Sequence, residues 1–128
     1  MSGREEIDVP TRPVLSHSAD AVRAGDHLFV AGILPADADG NLVGGDDVVA
    51  QARKVFTDLG EILAAGGCTF ADVAKVVVFL TDVDDRPLIN PIRQEVFGDV
   101  LPSSTLVEIS GLAVPGAKIE VEAVAIAA

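Results

Sequence analysis

The chain has 128 residues and a mass of 13.2 kDa, the size of one compact domain with a packed core rather than two. Twenty Asp and Glu against nine Lys and Arg give a formal charge of −11, a field that repels phosphate backbones and anionic lipid and so argues against nucleic acid as a partner. The single cysteine, Cys68, excludes an intrachain disulfide and any zinc or iron–sulfur site built from cysteines of one chain, and the lack of Tyr and Trp removes stacking platforms for bases.

No apolar run approaches the roughly 18 residues that cross a bilayer, so no membrane span is expected. Met1–Pro10 carries Glu5, Glu6 and Asp8 and lacks the basic flank and apolar stretch of a secretory signal. The cytoplasm is the expected compartment.

Residues 1–14, acidic and holding Pro10 and Pro13, read as an extended arm, either frayed or laid along a sheet edge. Asp20–Ala24 and His27–Leu34, separated by Gly25-Asp26, predict a hairpin. The polar loop 36–47 ends in Asp46-Asp47, suited to cap a helix. From there Val48, Ala52, Val55, Phe56, Leu59, Ile62 and Leu63 recur at three- and four-residue steps up to the stop at Gly66-Gly67. Val73–Leu80, β-branched and nearly unbroken, predicts a mid-sheet strand covered on both faces. Asp82–Gly98 has helical spacing, with Pro91 requiring a start at Asn90 or a kink. Thr105–Ile109 and Lys118–Ala127 predict two last strands, giving the order β-β-α-β-α-β-β. With both helices on one face, apolar side chains such as Val76, Val78 and Val107 would be left on the other, and further copies of the chain would cover them.

In the last strand Glu120 and Glu122 share a face by two-residue alternation. They suit either a solvated edge or a carboxylate held in a cleft as a base toward water, with Glu108 as a neighbour that would raise its pKa. Two histidines, His17 and His27, do not make a metal site, the spacing around Asp37-Asp39-Gly40 fails a calcium loop, and no Gly-rich phosphate loop is present. No cofactor and no metal are expected. Cys68 reads as a small packed residue.

Ala21-Val22-Arg23-Ala24-Gly25-Asp26, Leu28-Phe29-Val30-Ala31-Gly32, Val76-Val77-Val78-Phe79-Leu80-Thr81-Asp82, Asn90 and Lys118-Ile119-Glu120-Val121-Glu122-Ala123, taken in this order over most of the chain, resemble the RidA (YjgF) family of imine and enamine deaminases. The resemblance implies one α+β domain over residues 1–128, chorismate-mutase-like, with a mixed sheet carrying two helices on one face. It also implies a homotrimer with small-molecule clefts between subunits. In active members an arginine of a Pro-Ala-Arg-Ser-like segment binds the substrate carboxylate, and a glutamate on the last strand positions the attacking water. The glutamate matches Glu120. The arginine position falls in Pro102-Ser103-Ser104-Thr105, on Ser104, and a hydroxyl cannot reproduce a bidentate charged pair worth roughly 2–5 kcal/mol when buried. A family tyrosine has His17 as its nearest counterpart.

The resemblance thus implies a hydrolase of a small reactive imine or enamine, with Glu120 catalytic, Ser104 and His17 as polar contacts, Gly32 and Ile33 lining the cleft through their backbone, and Asn90 and Phe97 as further cleft residues. For those last two, a helix cap and a core aromatic are the alternative readings. The substrate is expected to be atypical or differently anchored, and an arginine among Arg12, Arg23, Arg86 and Arg93 that projects into the cleft would mark a relocated clamp. The alternative function is a non-catalytic metabolite-binding or regulatory protein that uses the inter-subunit cleft.

Overall fold

The structure is a computed structural model that describes residues 3–13 and 15–127. Its elements are β1 (Arg4–Ile7), β2 (Ala21–Ala24), β3 (His27–Ile33), α1 (Val48–Ala65), β4 (Val73–Leu80), α2 (Arg86–Phe97), β5 (Ser103–Glu108) and β6 (Ile119–Ile126). One six-stranded sheet has the order β1-β2-β3-β6-β4-β5. All neighbours are antiparallel except β4 and β5, so the sheet is mixed. Both β3 and β4 run antiparallel to β6, hence parallel to each other, and α1 makes the crossover between them. The fold is α+β, as the resemblance implies, with one strand more than the periodicity of the sequence shows.

That extra strand is the acidic arm laid along the sheet edge. Arg4–Ile7 pairs with Ala21–Ala24, and two aspartates clip the chain beyond it. The Val9 amide donates to Asp20 Oδ2 at 2.8 Å, and the Asp20 amide donates to Asp8 Oδ1 at 3.1 Å. Short charged strands show little apolar alternation, so hydrogen bonding to β2 rather than hydrophobic pattern makes this element.

Asp47 caps α1 by accepting from the Val49 amide at 2.9 Å, and Gly67, at φ +78°, follows the last turn. The predicted apolar stripe is buried, with Ala52, Val55, Leu59 and Leu63 fully enclosed. α1 packs on β3, β6 and α2, which puts both helices on one face of the sheet. α2 begins at Arg86 and continues through Pro91, not at Asn90 as expected. Pro87 sits in the first turn, where a missing amide costs nothing, and a short 3₁₀ turn over Val83–Asp85, capped by Asp82, leads the chain into it.

The sheet's pleat corrects another expectation. Val76, Val78 and Leu80 are fully buried under the helices, so Val76 and Val78 are not on the bare face, and β4 is covered on one face only. The open face carries Val77 and Phe79 of β4, with Glu122 and Glu120 of β6 beside them, Val107 of β5 beside Phe79, and Phe29 of β3 beside Val124. Phe29 and Val107 are 47 % and 38 % exposed. Among the described residues no helix is long and apolar enough to cross a membrane.

Candidate functional site

β6 lies between β3 and β4, so Glu120 stands inside the sheet rather than on a solvated edge. Its register partner on β4 is Phe79, and on the other side a bulge in β3 between Val30 and Ile33 brings Gly32 against the carboxyl. A Cβ at residue 32 would lie 2.6 Å from Glu120 Oε1, closer than van der Waals contact permits, so glycine is required for the side chain to sit there. Burial is the main cause that raises the Glu120 pKa above its ordinary value, and the negative charge of Glu122 adds to it. Glu108 does not take part. β4 intervenes between β5 and β6, Glu108 pairs with Leu80 on the helix side, and its Oε1 accepts from the Val83 amide at 2.9 Å.

Glu120 and Gly32 open onto a recess of about 400 Å3 whose wall is the N-terminal arm, including Pro10, Arg12 and Ser16. Arg12 fixes that wall. Its side chain is buried and donates from Nη1 to Asp58 Oδ2 at 2.5 Å, while Lys54 Nζ reaches the other oxygen at 3.1 Å. The Arg12 Nε is buried without a hydrogen-bond partner, with Asp20 Oδ1 at 4.0 Å. Sequence reasoning missed this anchor, although a signal existed: Asp58 falls three residues after Val55 and four before Ile62, inside the buried stripe of α1. His17 is exposed and lines an adjoining hollow with Phe29 and Arg4, next to the Glu120 recess and sharing Asp8, Ser18, Ala19 and Ala31 with it. Ile33 turns its side chain into the core, 1 % exposed, so only its backbone is available to the recess.

The remaining predicted residues gather elsewhere. Ser104 pairs with Val76, which places it on the helix-bearing face, opposite Glu120. There Arg93 of α2 donates from Nη2 to the Ser104 hydroxyl. Arg93, Asn90 and Phe97 line a second recess of about 310 Å3 together with Leu101 and Pro102. Asn90 lies inside α2 and is not its cap. Phe97 is the core aromatic of the two readings, 7 % exposed and edge-on to Phe56 and Phe70 at 6.2 and 5.7 Å, yet its rim also borders the recess. The predicted residues therefore form two groups on opposite faces of the sheet, one with Glu120 and Gly32, the other with Ser104, Arg93, Asn90 and Phe97.

Residues 10–127 match the family described as Endoribonuclease L-PSP. The chain is 36 % identical to the 3-aminoacrylate deaminase RutC of Acinetobacter baylyi over 94 % of its length and 97 % of that protein. It is 34 % identical to the 2-iminobutanoate/2-iminopropanoate deaminase of Capra hircus over 84 % of its own length and 78 % of that protein. The crystal structure of RidA from an Antarctic Psychrobacter superposes with a TM-score of 0.88 at 27 % identity, covering 95 % of this chain and 98 % of that one. A profile match over nearly the whole chain, relatives named as deaminases and the shared fold agree with the residues quoted from the sequence, and the chain belongs to the L-PSP family that contains the RidA (YjgF) and RutC proteins.

Proposed function

We propose that the chain hydrolyses the C=N bond of a small imine, or of the imine tautomer of an enamine, in a cleft formed between copies of itself. The observation that supports this reading is the Glu120 carboxyl, held over Gly32 at the mouth of a recess with its pKa raised by burial. A carboxylate of raised pKa is a stronger base than an exposed one. Glu120 takes a proton from water as the water oxygen bonds to the imine carbon. Glu120 passes that proton to nitrogen to give the carbinolamine, the hydroxyl proton then moves by way of Glu120 to the same nitrogen as the C–N bond breaks, and ammonia and a carbonyl compound leave. Imine plus water balances carbonyl plus ammonia, and no oxidant or cofactor enters.

The same reading makes the protein a homotrimer in the cytoplasm. In its support, the open sheet face exposes Phe29 and Val107 beside half-buried Val77 and Phe79, and a second copy laid there would cover them and bring one chain's Glu120 half-site toward the other chain's Ser104 half-site. Strand β5 reads SSTLVE and holds no arginine, so the substrate is atypical for such deaminases, or is anchored by another group. The formal charge of −11 speaks against the nucleic-acid cleavage that the family's description names.

The test is ammonia release from imines made in situ by an amino-acid oxidase, with several side chains, for the natural protein and for Glu120→Gln. Acceleration that Glu120→Gln lowers by a factor of about 10²–10⁴ is expected. Equal rates with the natural protein and with none refute the hydrolase, and would leave the reading of a binding or regulatory protein.

A further inference from the structure

Arg93 is unusual in this chain. Acidic side chains outnumber basic ones twenty to nine, yet among the described residues no carboxylate lies within ion-pair distance of Arg93, as of Arg23, Lys75 and Arg86, and of these four only Arg93 is buried enough for its pKa to be shifted. Its hydrogen bond goes to a neutral hydroxyl, that of Ser104, from Nη2. A guanidinium has five N–H donors in a planar fork, so most of that fork is left for a ligand. Burial lowers its pKa, the cost of holding a cation away from water without a counter-charge.

The recess beside it defines what would supply that counter-charge. About 310 Å3 is room for a small metabolite. Arg93 is the single cation on its described walls, which suits one negative charge rather than the two of a phosphate group. Asn90 and Gln94 add amides, and Phe97, Leu101 and Pro102 form an apolar side. Asn90 and Arg93, three residues apart on α2, share one helix face, and Ser104 on β5 holds the fork toward it.

We propose that Arg93, oriented by Ser104, is a carboxylate anchor supplied from helix α2, and that the site takes small monocarboxylates with a short apolar side chain. The anchor rests on the hydrolase reading only for its consequence, that the substrate is an imino or enamino acid. As a binding site it stands alone. Ser104 is a positioning residue here, and the charge that binds comes from the helix instead of strand β5.

The experiment titrates 2-oxobutanoate, and butanone as its uncharged counterpart, into ¹⁵N-labelled protein, following the backbone amide signals of Asn90, Gln94 and Leu101 in every variant and the Arg93 Nε–H signal wherever Arg93 is present. The natural protein should bind the acid. Arg93→Gln should weaken it by about tenfold or more, Ser104→Ala by a smaller factor, and Arg93→Lys should fall between, because charge survives without the fork. Butanone should not move these signals. Equal affinity of Arg93→Gln and the natural protein, or no binding by the natural protein, overturns the anchor. Ammonia release that ignores Arg93 would sink the anchor and leave the hydrolase. Arg93-dependent binding without ammonia release would do the reverse.

Discussion

Breaking the Arg12–Asp58 pair tests whether the N-terminal arm is held by a buried charge network. Both side chains are almost fully enclosed, at 5 % and 2 % exposure. Removing either partner alone takes a charge from the network, and the two losses differ because the neighbours differ. Asp58→Leu leaves Arg12 with Asp20 alone at 4.0 Å, an under-compensated buried cation, and such a break costs about 4 kcal/mol. Arg12→Met leaves Asp58 still paired with Lys54 at 3.1 Å, so the loss is one charged hydrogen bond, about 2 kcal/mol. With an unfolding entropy of roughly 2.1 cal/mol/K per residue, a chain of this length loses about 4 °C of Tm per kcal/mol, giving drops of about 15 and 8 °C. The double variant Arg12→Met/Asp58→Leu replaces the pair with apolar side chains of similar volume and should be more stable than Asp58→Leu alone. Calorimetry on the four proteins gives the coupling. Additive losses, or an Asp58→Leu variant within about 1 °C of the natural protein, would refute the argument.

Two other outcomes follow from the sheet's open face. Because Glu120 has a raised pKa when folded, the native state holds its proton more tightly than the unfolded chain does. Its contribution favours folding below the ordinary value of 4.5 and is lost as pH rises through the raised native value. Glu120→Gln should therefore melt above the natural protein at neutral pH, with the gap closing as pH falls below that ordinary value, and a gap that ignores pH contradicts the burial argument. Phe79→Asp puts a charge in the middle of the open face while leaving the helix-covered core intact, so light scattering should show a change from three copies of 13.2 kDa to one. An unchanged mass for that variant, or a natural protein that is monomeric, counts against assembly through this face.

Much of the fold was legible in the residues because strong periodicity survives tertiary context. The α1 stripe from Val48 to Leu63, its Asp47 cap and the β-branched run of β4 each reflect one dominant local force. β1 was legible only as an arm either frayed or laid along a sheet edge, since four residues with three charges form a strand only because β2 offers its edge. Which of Val76 and Val77 faces the helices was equally hidden, because alternation in an apolar run has no contrast. The candidate site divides in the same way. Glu120 and Gly32 could be named from the resemblance, but their contact depends on a bulge in β3 that no local pattern announces.

By itself the sequence determined that this is an acidic chain with alternating strands and helices, a capped, amphipathic first helix and a glutamate on its last strand, because charge balance, capping chemistry and helical period are local properties. Only the tertiary structure decided that Glu120 faces Gly32, that Glu122 and not Glu108 adds to its perturbation, and that Arg93 reaches Ser104 on the opposite face. Those contacts are set by strand order and pleat, which bring together residues 88 and 11 positions apart in the first and last pairs, and a burial cost or an unmatched charge exists only once the chain is packed around it.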